Sequence, residues 1–263
     1  MHALFADFLA EHPECTFRAL GARENREMLD LAPFGHPIDF LDAAEHPRWV
    51  ERYHAANRKS FSGFAALPGW VLVDLFLMPA AIGLVTCPAR LCSRRIEGLG
   101  DDDEAVAAAY YAAPTLEPGT VIGVSLISLR EGIGAATIVK ALTLSMLRAR
   151  CQRGIAQWHN RSVRVHTRLG TLRLVGPVAG AHDKAGESFV YSVDLASPAA
   201  VAEAMRRPGN APDPTPPEGA RWLPVSDLPA LAELLRRATA GEVITVLPPG
   251  LSADGQNVLV RVG

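Results

Sequence analysis

The residues of this chain best equipped for chemistry lie between Thr120 and Gly170. A β-branched run, Thr120-Val-Ile-Gly-Val-Ser-Leu-Ile-Ser128, leads into a glycine turn, Arg130-Glu-Gly-Ile-Gly-Ala-Ala136. A long apolar stretch follows and reads as helix to about Arg150. A strand that ends in Gly132-x-Gly134 and opens a helix suits an anion. Glycines let backbone N–H groups approach a ligand closely, and the helix N-terminus adds a partial positive charge. Phosphate or pyrophosphate recognition is therefore the chemistry to which this segment points. Beyond it come a second strand, Arg153-Gly-Ile-Ala-Gln-Trp-His-Asn160, and the segment Ser162-Val-Arg-Val-His-Thr-Arg-Leu-Gly170. His166 supplies an imidazole, the side chain that titrates nearest neutral pH.

Three kinds of phosphate-binding loop compete for the glycine turn. A nucleoside-triphosphate loop needs Gly-Lys-Ser/Thr, but Ala135 and Ala136 follow the second glycine. A dinucleotide fingerprint needs a third Gly or Ala where Thr137 stands. It also needs an acid after the next strand, where Trp158-His159-Asn160 stand. The third kind fits best. From Val121 to Gly170 the chain resembles the GCN5-related N-acetyltransferase superfamily, whose acyl-CoA loop reads Gln/Arg-x-x-Gly-x-Gly/Ala. Gly132 and Gly134 match its two glycine positions. The family's later segment, Asn-x-x-Ser-Ile-Arg-x-His/Tyr-x-x-x-Gly-Phe, resembles Ser162–Gly170, with Asn160 one residue nearer than usual. There are departures. The family's Gln/Arg falls on Leu129, with Arg130 one place late; Thr171 replaces the final aromatic; His166 stands where many members carry tyrosine.

The resemblance implies a fold and an activity. The fold is α/β, with a mixed, mostly antiparallel twisted sheet flanked by helices. The activity is transfer of an acyl group from an acyl-CoA, acetyl-CoA or longer, to an amine of a small molecule or peptide. Backbone N–H groups of Ile133, Gly134, Ala135 and Ala136 would hold the pyrophosphate, with Arg130 and Gly132 completing the loop. The strand edge at Leu126, Ile127, Ser128 and Leu129 would pair with pantetheine amides. Asn160 is a further contact. His166 would protonate the leaving thiolate, and Asp74 or Glu131 would accept the amine proton. A non-catalytic binding module of the same fold is the alternative. A third is an interaction protein that docks through its proline-rich tail.

The bulk properties are compatible with these readings. The chain has 263 residues, 49% hydrophobic and 21% charged, a globular balance. The formal charge of −2 gives no basic footprint for nucleic acid. Lys59, Lys140 and Lys184 are the only lysines; this arginine bias, with abundant Ala, Gly and Pro, suggests a GC-rich bacterial coding sequence. Cys15, Cys87, Cys92 and Cys151 are too scattered for a disulfide framework. Cys87-x4-Cys92 lacks a second pair at metal-ligand spacing, so no metal is expected. The N-terminus has no basic region before an apolar one, which points to the cytoplasm. Trp70–Thr86 approaches the length of a membrane span. Asp74 within it would cost about 2.5–3.5 kcal/mol there. Pro79 divides the segment, so two buried strands are expected instead, Val71–Leu77 and Ala81–Thr86. A homodimer stays open.

Three regions position these residues. Residues 1–59 read as a helical segment, with a strand at Thr16–Leu20 and helices over Arg23–Leu31, Asp39–Ala44 and Arg48–Asn57. Residues 60–196 form the acyltransferase-like core. In it, Asp101-Asp-Asp-Glu104 caps a helix over Ala105–Ala112, strands follow at Leu172–Val175 and Phe189–Leu195, and Ala179–Gly186 is an exposed turn. Residues 197–263 are an extension: a helix with Ser197 as its cap, a linker over Pro208–Gly219, a helix over Ser226–Ala240 and a terminal hairpin.

Overall fold

The computed structural model describes residues 2–61, 66–69, 79–178, 187–206 and 212–263. The backbone divides into two compact units, Met1–Ala149 and Arg150–Gly263. The sequence suggested boundaries at 59/60 and 196/197.

The first unit is built on five strands: β1 (Thr16–Gly21), β2 (Asp39–Asp42), β3 (Ala81–Pro88), β4 (Glu104–Pro114) and β5 (Thr120–Ser128). Their order is β2-β1-β3-β4-β5, with β2 parallel to β1 and the remaining pairs antiparallel. Among the described residues, helices α1 (His2–Glu11), α2 (Pro47–Ser60) and α3 (Ala135–Met146) accompany them. Phe5 and Phe8 of α1 close over Phe17 and Phe34 at ring distances of 4.8–5.8 Å. α3 lies on β3 and β4, with ten of its twelve residues buried. Gly83 lets it come close, because a Cβ there would lie 2.2 Å from Thr143 Oγ1.

Several sequence expectations change here. Ala105–Ala112, expected as helix, is the centre of β4. Alanine favours helix in isolation, but ladders to β3 on one side and β5 on the other decide this segment. Residues 105–113 are all buried, as a strand covered on both faces requires. Asp39–Asp42 is strand β2, because its backbone pairs with Arg18–Gly21. Residues 1–59 therefore supply two strands of the sheet as well as helices. Over Arg23–Met28 the chain makes a 3-10 helix, shorter than the expected helix to Leu31. Ala81–Pro88 is the expected apolar strand; its proposed partner Val71–Leu77 lies outside the described residues, as does Ala179–Gly186.

The second unit is an antiparallel sheet of β6 (Cys151–Gln157), β7 (Gly170–Pro177), β8 (Ser188–Leu195), β9 (Ala220–Pro224), β10 (Ile244–Leu251) and β11 (Asn257–Val262). The order is β6-β8-β7-β10-β11-β9. Helices α4 (Ser162–Leu169), α5 (Pro198–Arg206) and α6 (Leu228–Thr239) join it. Leu231, Leu234 and Leu235 bury one stripe of α6 in a core with Leu172, Val193, Ile244, Val246, Val258 and Val260. Asp227 caps α6 by accepting the Ala230 N–H at 3.1 Å. The terminal hairpin is not an appendage, since β10 pairs directly with β7. The described part of the proline-rich segment, 212–219, lies against the same unit. Asp213 Oδ1 accepts the Ala253 N–H at 2.7 Å, and Trp222 Nε1 donates to Pro214 O at 3.4 Å. Strand β9, which follows that segment, was not anticipated; it pairs along β11. Among the described residues no helix is long and apolar enough to cross a membrane.

Gly170, singled out as a motif residue, has a structural task. It lies opposite Leu195 where β7 meets β8, and a Cβ there would stand 2.0 Å from Asp194 O and 3.0 Å from Ala196 N. Backbone cannot yield as a flexible side chain can. We expect Gly170→Ala to lower unfolding free energy by about 1–3 kcal/mol, read as a shift of the urea midpoint. An unchanged midpoint would contradict this packing.

Candidate functional site

The glycine turn is held from below by the end of the β4–β5 ladder. Ala107 O accepts both the Leu129 N–H at 2.8 Å and the Arg130 N–H at 3.1 Å. Leu129 is fully buried, which fixes the turn's first residue. The segment Ser93–Arg94 supports the turn from beside it. The Arg94 N–H donates to Leu129 O at 3.1 Å, its guanidinium donates to Ser128 O, and Ser93 Oγ accepts the Glu131 N–H at 3.2 Å. Within the turn, Ser128 Oγ donates to Arg130 O at 3.3 Å.

Past these supports the backbone turns through two left-handed glycines, Gly132 at φ +87° and Gly134 at φ +76°. A Cβ on Gly132 would meet nothing within 4 Å, so this glycine is required by its φ and not by crowding. Gly134 caps α3, and its carbonyl accepts from Thr137 at 3.0 Å and Ile138 at 3.1 Å. The first N–H groups of a helix have no acceptor within it. Among the described residues, the N–H groups of Ile133, Gly134, Ala135 and Ala136 find no acceptor elsewhere in the protein. The turn thus offers consecutive donors at a helix N-terminus, with no side chain beyond Cβ at Gly134, Ala135 or Ala136.

Leu126, Ile127 and Ser128 lie opposite Tyr110, Ala109 and Ala108 in β4. The ladder slips once, between Gly123 and Ser125, leaving Val124 unmatched and 38% exposed. Tyr53 of α2, fully buried, meets Ser125 Oγ through its hydroxyl at 2.5 Å and steadies the strand beside that bulge.

Arg130 is not directed at a ligand. Its guanidinium is ion-paired with Glu14 and lies 3.4 Å from Cys15 Sγ. A backbone N–H and Arg130 hold the Glu14 carboxyl below its usual range. Glu131 is exposed, and its carboxylate reaches only within 3.9 Å of Arg94 Nε. Such a long, solvated pair contributes little. Asp74 lies outside the described residues.

The remaining predicted residues belong to the second unit. His166 is 4% exposed. Its Nε2 is 3.1 Å from Tyr191 Oη, and the two rings stack with centroids 4.6 Å apart. Gln152 Nε2 donates to the same hydroxyl at 2.7 Å. Burial pushes the Tyr191 hydroxyl pKa up, so it stays protonated. Gly154 lies opposite Tyr191, and any Cβ there would sit 2.6 Å from Oη. A glycine inside a strand is the sequence signal that pointed to this close approach. Asn160 Oδ1 accepts the Ser162 N–H at 2.8 Å and so supports the first turn of α4. Leu126–Ala136 thus run continuously from the end of β5 through the glycine turn into α3. His166 is in a buried network with Tyr191 and Gln152. Ser93, Arg94 and Ala107, which brace the turn, carry no sequence motif.

A pocket of about 260 Å³ in the second unit is lined by Trp158, His159, Glu187, Val225, Ser226 and Leu228. That is below the usual size for a cofactor-sized ligand, roughly 300–1,000 Å³. Among the described residues no group of three His, Cys, Asp or Glu side chains could hold a metal.

The Tyr191 network yields a test. Tyr191→Phe removes the hydroxyl shared by His166 and Gln152, and should lower stability by about 1–3 kcal/mol in equilibrium unfolding. An unaltered unfolding free energy would contradict a structural role for the hydroxyl.

No family model matches this chain, and no curated protein does. Among solved structures, it is similar to a Desulfovibrio desulfuricans protein assigned to the acetyltransferases of the GNAT family. Identity is 11%, over 69% of this chain and 99% of that one, with a TM-score of 0.42. It is also similar to a Salmonella typhimurium protein assigned as an acetyltransferase and solved with acetyl-CoA, at 13% identity, 60% and 92% coverage and TM-score 0.41. A ribosomal-protein-S5-alanine acetyltransferase from Vibrio fischeri matches at 13% identity, 69% and 93% coverage and TM-score 0.37. At these values the matches assign the chain neither a substrate nor a reaction.

Proposed function

We propose that this chain is a divergent GCN5-related acyltransferase that binds an acyl-CoA at the 130–136 turn and acylates an amine of a small molecule or peptide. The observation that carries the reading is the run of N–H groups from Ile133 to Ala136, without acceptors among the described residues and preceded by left-handed Gly132. Donors at a helix N-terminus suit a diphosphate, because partial positive charge and N–H geometry converge there. The turn is braced before any ligand arrives, so little ordering entropy is lost on binding. When bound, an acyl-CoA supplies an activated thioester. On this reading Leu126–Ser128 offer backbone groups to its amide-bearing arm. Glu131, exposed beside the turn, is kept as one candidate to take up an amine proton. Asp74 is kept as the alternative base. His166 is kept as the candidate proton donor.

The 4% exposure of His166 favours a second reading, a binding module that holds the same ligand without turnover. Thermal shift and a thiol-release assay together separate the two.

A bound ligand stabilises the native state by about 2.7 kcal/mol at a hundredfold excess over Kd. We expect acetyl-CoA or a longer acyl-CoA to raise the melting temperature of the wild-type chain, and NAD(P) and ATP to do less. Gly134→Asp should abolish the shift, since it sets a carboxylate among the donors and a side chain at φ +76°. Thiol release with an amine, lost in His166→Ala, indicates the transferase. A thermal shift without turnover indicates the module. No shift with any CoA species contradicts both.

A further inference from the structure

Three of the four cysteines converge in the first unit, beside the proposed binding turn. Cys87 near the end of β3 and Cys92 after the turn Ala89–Leu91 are 1% and 6% exposed, with their sulfurs 4.0 Å apart. Cys15 is also buried, with its sulfur 3.4 Å from the Arg130 guanidinium. Cys92 is followed directly by Ser93 and Arg94, the residues that hold Glu131 N–H, Leu129 O and Ser128 O. The two sulfurs are thus in contact at one end of the brace that shapes the turn.

We propose that Cys87 and Cys92 form a peroxide-reactive dithiol whose oxidation to a disulfide loosens the brace on the 128–134 turn. Both sulfurs are buried, so the oxidant must be small; a hydroperoxide qualifies, and a bulky disulfide such as oxidised glutathione does not. Cys87 is the sulfur that reacts first. The Cys92 hydrogen bond, aided by the Arg130 guanidinium, brings the Cys87 thiol down to about 7 against the opposing effect of burial. Its contact with Cys87 and burial push the Cys92 thiol up, and burial pushes Cys15 up to about 11.

The chemistry balances. The Cys87 thiolate attacks a peroxide oxygen, breaks the O–O bond and becomes a sulfenic acid, with hydroxide leaving. The Cys92 sulfur then attacks the Cys87 sulfur, the S–O bond breaks, and the Cys92 proton leaves with the oxygen as water. In sum, two thiols and one hydrogen peroxide give one disulfide and two waters. The sulfurs must close from 4.0 Å to about 2.05 Å. Hydrogen bonds from the Ala89 and Arg90 N–H groups to Asp103 O and Asp101 O hold the intervening turn, and the Cys92 N–H donates to Ala89 O at 3.1 Å, so closure falls on the Cys92 side chain and the residues that follow it.

The disulfide does not depend on the acyl-CoA reading; only its consequence for that ligand does. The full-length chain is treated with hydrogen peroxide, remaining thiols are alkylated, and peptides are mapped. The expected product is one intramolecular Cys87–Cys92 bond, two hydrogens lighter and reversed by dithiothreitol. Amide exchange at Arg94 and Glu131 should rise several-fold on oxidation while the far-ultraviolet circular dichroism stays constant. Cys92→Ser should divert Cys87 to a sulfenic acid, trapped when the oxidised chain is unfolded in the presence of dimedone. Recovery of Cys87 and Cys92 as separate thiols, or a bond to Cys15, would overturn the proposal. So would a Cys87–Cys92 bond that leaves exchange at Arg94 and Glu131 unchanged. Thermal shift with acetyl-CoA, run separately on both forms, reports on the ligand alone.

Discussion

One backbone carbonyl sets the geometry on which the candidate site depends. Ala107 O closes the β4–β5 ladder by accepting two successive N–H groups, from Leu129 and Arg130. After that the chain cannot continue as strand, and Gly132 and Gly134 carry it through two left-handed conformations that other residues adopt only at a cost of about 1–2 kcal/mol. The helix that begins at Ala135 is then seated on β3 and β4 by its own apolar residues. A strand end, a left-handed turn and a buried helix together leave a row of N–H groups without acceptors among the described residues.

The charge distribution around this row is restrained. Arg130 lies at the turn and is paired with Glu14, while Arg94 donates from its guanidinium to Ser128 O and keeps its positive charge beside the turn. The N–H groups at the head of α3 add backbone dipoles to it. Such donors are fixed before a ligand arrives. The second unit is organised differently. Its polar interior centres on the Tyr191 hydroxyl, which His166 and Gln152 share, and Gly154 makes the room for it.

Much of the layout was legible from pattern. The β-branched run to Ser128, the glycine turn and the apolar helix were readable because each has a local cause: period, φ preference and burial. The strands around Phe189 and Ile244 were readable for the same reason. The alanine-rich segment of β4 was not. Its residues favour helix locally, and only non-local ladders to β3 and β5 decide otherwise. Asp39–Asp42 and Ala220–Pro224 are short strands whose identity likewise comes from their partners, Arg18–Gly21 and Asn257–Arg261.

The candidate site divides along the same line. The turn glycines were visible because glycine at φ near +80° has a clear signature. The bracing by Ser93, Arg94 and Ala107 was hidden because it joins residues far apart in sequence. His166 and Gly170 drew attention as motif positions, yet the first is buried against Tyr191 and the second is required by close contact with the Asp194 backbone.

The central claim is that four consecutive amides grip a diphosphate. Backbone-amide NMR during titration with acetyl-CoA tests it most directly. The account predicts that the Ile133, Gly134, Ala135 and Ala136 resonances move furthest and together, with one saturation curve. Saturable binding that shifts resonances elsewhere and leaves these four unmoved would contradict it.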